Sequence, residues 1–185
     1  HRKPLPRFWY LPKGLKAAFV MTGDDHGDAG MQPRFDIYRN ESPANCSVAD
    51  WECVRATGYE YVGSTFTNLQ AIFYHGLGFE VALHVDTGCA SVPAGPYEAA
   101  TSNQLAVFGA AFPGIPLPQT NRTHCIAWTD WSAVAELESR NGLRLDTNYY
   151  YWPYAWFQGR SGMFTGSGIP MRFAKEDGTI VDAYQ

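Results

Sequence analysis

Positive charge is scarce in this chain. Fourteen Lys and Arg stand against 18 Asp and Glu, a net charge of −4, and they are scattered rather than gathered into blocks. A nucleic-acid partner requires a basic footprint to neutralise phosphates, so that class is excluded. Long apolar runs are missing too: nothing approaches the roughly 18 residues that cross a bilayer. No paired basic and apolar regions open the chain as in a signal peptide, which leaves a cytosolic protein or an exported one whose leader has been removed. There is no internal repeat and no low-complexity tract. The G-x-S-x-G of serine hydrolases and the G-x-x-x-x-G-K-[ST] of phosphate-binding loops are both absent.

Cysteine is sparse but even in number. Cys46 and Cys53 lie close together, while Cys89 and Cys125 each follow shortly after a histidine. Three glycosylation sequons are present, at Asn40, Asn45 and Asn121. Together these favour an exported, disulfide-bonded protein over a cytosolic one with four reduced thiols.

At 185 residues the chain fits one domain with a sizeable core. Apolar runs predict strands over 16–21 (KAAFVM), 53–62, 79–85, 123–128 and 143–151. Helices are expected over 68–77, 96–111 and 131–140, with residues 27–49 as loop and a hairpin of 171–174 with 179–183 around Asp177-Gly178. Strands alternating with helices imply parallel strands joined by crossovers, an α/β fold.

In a parallel barrel, chemistry gathers at the carboxyl ends of the strands. The polar residues cluster there: Asp24, Asp25 and His26 after the first strand, His84 and Asp86 at the third, Arg122 and His124 at the fourth, Asp146 and Asn148 at the fifth. A spacing of two puts each pair on one face of an extended chain. Aspartate and histidine together are the ligand chemistry of zinc or another divalent first-row metal such as cobalt or nickel. The bland alternative for the Asp24-Asp25 pair is a helix or turn cap.

At these residues the chain resembles the polysaccharide deacetylases, carbohydrate esterase family 4. Thr22-Gly-Asp-Asp-His26 stands where that family has T-F-D-D-G, and Gly78-Phe-Glu-Val-Ala-Leu-His84 follows its G-H-E-[IV]-x-x-H. The resemblance implies a distorted (β/α) barrel, with Asp24 as general base, Asp25 and His84 as metal ligands and Arg122 holding the base. The family's second motif histidine is replaced by Gly88, and spacing offers His124 as the substitute ligand. A Cys89–Cys125 disulfide would tie the two ligand-bearing strands together. His26 replaces a family glycine and is expected to touch the substrate or the metal.

The aromatic run 149–157 (YYYWPYAWF) suits sugar faces, with Tyr150 and Trp152 as substrate-binding candidates. The family's final histidine, its general acid, has no counterpart after His124. Two readings stay open: a barrel incomplete at the C-terminus, with further domains in the full-length protein, or a divergent member using another acid. The implied function is a secreted, metal-dependent removal of acetyl groups from an N-acetylated polysaccharide. O-acetyl ester hydrolysis and a noncatalytic carbohydrate-binding remnant are the alternatives.

Overall fold

Adjacent residues of a strand point to opposite faces, and in this protein that alternation separates core from site. The computed structural model describes residues 11–27, 29–90, 92–148 and 171–185. In chain order the elements are β1 Thr22–Asp25, α1 Met31–Glu41, β2 Thr57–Glu60, α2 Asn68–Gly76, β3 Glu80–Val85, α3 Ala94–Ala111, β4 Thr120–Thr123, α4 Ala133–Arg140, β5 Leu145–Asp146, β6 Arg172–Ala174 and β7 Ile180–Tyr184. They form one seven-stranded sheet ordered β1-β2-β3-β4-β5-β7-β6. All neighbours pair parallel except the β6–β7 hairpin at the edge. The fold is therefore α/β, a mostly parallel sheet flanked by helices.

Along β3, Val81, Leu83 and Val85 join Met31 and Phe35 of α1, Tyr74 of α2 and Phe108 of α3 in the main core. Ala82 and His84 alternate with them, buried on the other face. There the sheet is strongly curved. Tyr59 of β2 donates to Thr120 Oγ1 of β4 at 2.8 Å and accepts from Thr147 Oγ1, just past β5, at 3.0 Å. In a flat sheet β2 and β5 would stand about 14 Å apart, three strand spacings, too far for these side chains to meet.

Local signals account for most of the elements. Helix α2 opens with a capping box in which Thr67 and Gln70 satisfy each other's backbone N–H groups. Just past its end, Gly78 takes φ +90, a value that L side chains rarely adopt. Pro33 and Pro96 sit in the first turns of α1 and α3, where no intrahelical N–H bond is lost. In the terminal hairpin, Lys175 N–H donates to Thr179 O and Gly178 has φ +83.

Three expectations need correction. The apolar run 16–21 is not the first strand: Phe19 and Val20 are 88% and 71% exposed, and the strand is the polar Thr22–Asp25 that follows. Residues 27–49 are not all loop, since Met31–Glu41 is helical; Pro33 hides this because a proline normally argues against a helix. The fourth strand ends at Thr123, the first residue of the stretch expected to form it, and His124–Ile126 makes a 3₁₀ turn in which Cys125 and Ile126 both have φ near +56.

Both expected disulfides are present, Cys46–Cys53 and Cys89–Cys125. Among the described residues, no helix is long and apolar enough to cross a membrane. The third sequon is closed to glycosylation, because Asn121 is buried and its amide donates to Glu138 Oε1 at 2.7 Å.

Candidate metal centre

Strand β1 divides its two carboxylates between two faces of the sheet. Asp25 is buried towards α1, where its carboxylate accepts from Gly27 N–H at 2.9 Å and from Met31 N–H, the first residue of the helix, at 2.6 Å. An anion there answers unpaired N–H groups and the positive end of the helix dipole. Asp24 lies on the opposite face, beside β3 and β4. Its Oδ1 is 2.9 Å from Arg122 Nε, an ion pair held by charge at an angle that falls short of a hydrogen bond. Arg122 is steadied in turn, donating from Nη1 to Thr22 Oγ1 at 3.3 Å.

His84 is oriented by the backbone of β4. A carbonyl oxygen can only accept, so the 2.9 Å contact with Arg122 O puts the ring proton on Nδ1. Nε2 is then left with its lone pair, buried and without a hydrogen-bond partner among the described residues, 4.0 Å from Asp24 Oδ2. Burial pushes the imidazole down to about 4, against the opposing pull of Asp24, so the ring is neutral at physiological pH. A neutral histidine whose far nitrogen donates to a carbonyl, with a bare nitrogen aimed into a cluster, is how metal-bound histidines are commonly arranged.

Two further histidines meet it there. The His26 and His84 rings are stacked with centroids 5.3 Å apart, and His124 stands edge-on to both, at 4.8 Å from His26 and 5.4 Å from His84. One ring nitrogen from each lies within 4.8 Å of the others, close enough for all three to hold one metal ion. Burial lowers the His124 pKa, and Asp86 opposes the shift. Cys125 and Ile126, directly after His124, are left-handed, a conformation costing about 1–3 kcal/mol per non-glycine residue and concentrated at functional sites. The Cys89–Cys125 bond clamps this turn to the loop after β3. Sulfurs bonded to each other offer no thiolate, so in the oxidised chain they do not compete for the ion.

Of the residues expected from sequence, Asp24, Arg122, His84 and His124 come together in this way. Asp25 lies outside the group of converging nitrogens because the pleat turns it to the helix side, and His26 supplies the third nitrogen. Arg122 and His124 do not share a face of one strand, since the chain turns between them. Asp86 is exposed and accepts from Gly88 N–H at 2.7 Å, shaping the loop. Asp146 is fully buried against Glu138, within reach of the Arg122 charge, and accepts from Asn148 N–H. Tyr150 and Trp152 lie outside the described residues.

Tyr61 was not foreseen. It directly follows β2, and its ring centroid is 5.0, 5.2 and 5.4 Å from those of His26, His84 and His124. Burial, with Asp86 and Asp24 adding to it, pushes its phenol up to about 12. In sequence it sits inside CVRATGYEYV, which reads as a core strand throughout; only its even spacing from Tyr59, one pleat nearer the strand's end, could have pointed to it. No protein-family model matches the chain, and no curated protein matches it. The chemistry of the three histidines, Asp24 and Arg122 therefore carries the functional argument.

Proposed function

We propose that this protein is a metal-dependent hydrolase that removes acetyl groups from an N-acetylated polysaccharide. The observation that carries the reading is the buried Nε2 of His84, without a hydrogen-bond partner among the described residues and with an arginine-paired carboxylate 4.0 Å away, on a ring that offers one nitrogen within 4.8 Å of ring nitrogens of His26 and His124. His26, His84 and His124 are the residues that would hold the ion, zinc being favoured by an all-imidazole set and cobalt or nickel suited to the same donors. When bound, such an ion supplies Lewis acidity, making water more acidic and polarising a carbonyl.

The chain's own groups divide the remaining work. Asp24 is the general base and takes a proton on Oδ2, the oxygen turned away from Arg122 Nε. Arg122 is a positioning residue that fixes the Asp24 carboxylate. His84 is held in one tautomer by the Arg122 carbonyl, so a single backbone position orders both a ligand and the base. The acetylated sugar as substrate rests on the motif resemblance around Asp24 and His84. The same proposal reads the curved sheet as a distorted (β/α) barrel, supported by the first five strands lying in chain order and by side chains that meet across three strand spacings. Two disulfides support an exported protein.

Elemental analysis after zinc exposure, beside acetate release from acetylated oligosaccharides, tests this reading. Wild type should hold about one zinc per chain and His84→Ala should lose it. Asp24→Asn should keep its zinc and release acetate about 10²- to 10⁴-fold more slowly. A wild-type chain that takes up no zinc, or one that holds zinc and releases no acetate, overturns the hydrolase.

A further inference from the structure

The hydrolase reading leaves one task without a residue. Asp24 supplies a base, but no side chain assigned so far meets the substrate oxygen on which negative charge develops. Tyr61 occupies a suitable position. It continues the face of Tyr59, one pleat nearer the carboxyl end of the sheet, and its ring lies against all three histidines.

The tyrosines differ in what their hydroxyls do. Tyr59 is buried with its oxygen engaged by Thr120 and Thr147, and Tyr97 is buried with its oxygen on Thr123 Oγ1. Their oxygens are committed to the fold. Tyr61 is half-buried, and its hydroxyl has no hydrogen-bond partner among the described residues. A phenol ordinarily carries its proton at neutral pH, so this hydroxyl is a donor. A donor with no partner among the described residues, on a ring packed against the three imidazoles of the site, is preorganised for an oxygen that gains charge during reaction.

We infer that Tyr61 is a catalytic residue of this site, donating a hydrogen bond from its hydroxyl to the carbonyl oxygen of the acyl group under attack; the inference rests on the hydrolase reading above. The stacked ring holds the hydroxyl in place, and the bond strengthens as that oxygen becomes an oxyanion. Asp24 and Tyr61 then divide the reaction between a proton acceptor and a hydrogen-bond donor.

Tyr61→Phe removes one oxygen and keeps the ring against the histidines. The test titrates zinc-loaded wild type and variant with methylphosphonate, a tetrahedral anion, by calorimetry, and measures zinc content and acetate release in parallel. The expected result is equal zinc content, methylphosphonate binding weakened about tenfold or more in the variant, and acetate release slowed about 10²- to 10³-fold. Equal affinity for methylphosphonate in the two proteins overturns the inference. So does a variant that loses its zinc, because Tyr61 would then be a ligand. A wild type that takes up no zinc overturns both the hydrolase reading and this one. The full difference in methylphosphonate affinity with no acetate release from either protein sinks the hydrolase reading and leaves Tyr61 as the anion's donor.

Discussion

Asp24 and Asp25 are the same amino acid one position apart, yet the pleat sends one to the histidines and the other to a helix terminus. A test of that division is Asp25→Ala. It should lower unfolding stability by about 1–2 kcal/mol, as lost helix caps do, while zinc content stays at the wild-type level; urea denaturation and elemental analysis read the two effects. Loss of zinc would return Asp25 to the ligand set. At this scale the sequence is legible where chemistry is unusual. Paired aspartates, a histidine after an apolar run and an arginine two residues before another histidine all stand out from any core pattern. Tyr61 does not, because Tyr59 two residues earlier is a true core residue and the same letter carries no sign of which is which. His26 is partly legible: its place after the paired aspartates marks it for substrate or metal, but that its ring stacks on His84 is visible only in the fold.

Between elements, close approach sets the geometry that the site inherits. Helix α1 lies so near β2 that a Cβ on Gly58 would stand 2.7 Å from Met31 Cε and 2.8 Å from Phe35 Cζ, whereas a Cβ on Gly95 in α3 would meet nothing within 4 Å. Gly58→Ala should therefore cost about 1–3 kcal/mol, seen as a lower denaturation midpoint, and Gly95→Ala should be neutral to slightly stabilising. A small effect at Gly58 would mean that α1 can shift outward. Helices α2, α3 and α4 and strand β3 are readable from periodicity and punctuation, because each is built on local signals such as the Thr67–Gln70 box. Strands β1 and β4 are not. Their polar residues pair along curved parallel neighbours, and the apolar residues beside them are either exposed, as Phe19 and Val20 are, or bent into a left-handed turn, as Cys125 and Ile126 are.

For the molecule as a whole, the buried Glu138–Asp146 pair makes stability depend on pH. Burial raises both carboxyls, and the neighbouring Asp146 charge raises Glu138 further. The folded state thus keeps a proton that the unfolded chain gives up above the ordinary carboxyl range of about 4. This contribution is complete below that range and is lost as pH rises through the raised folded value. His84 runs the other way: its folded value of about 4 lies below its ordinary 6.5, so its contribution is present above 6.5 and is lost as pH falls towards 4. Glu138→Gln can still accept from Asn121 and can donate to Asp146. Melting curves from pH 5 to 8 should show the variant gaining on wild type as pH rises, with the His84 contribution cancelling in the comparison. A constant difference across that range would mean that the pair shares no proton.

The cross-link between Cys89 and Cys125 bears on how the protein is best prepared. Made in a reducing cytosol, the chain would present two thiols beside His124, and those sulfurs lie with a His124 nitrogen within 4.8 Å of one another. Soft thiolates attract zinc, so an ion arriving early would meet a rival resting place that borrows the very histidine the trio needs. Oxidation first removes that rival. Recombinant batches folded in an oxidising compartment and only then given zinc should be uniform, whereas batches that meet zinc before air would carry a trapped fraction whose thiols stay hidden from Ellman's reagent until a chelator is added.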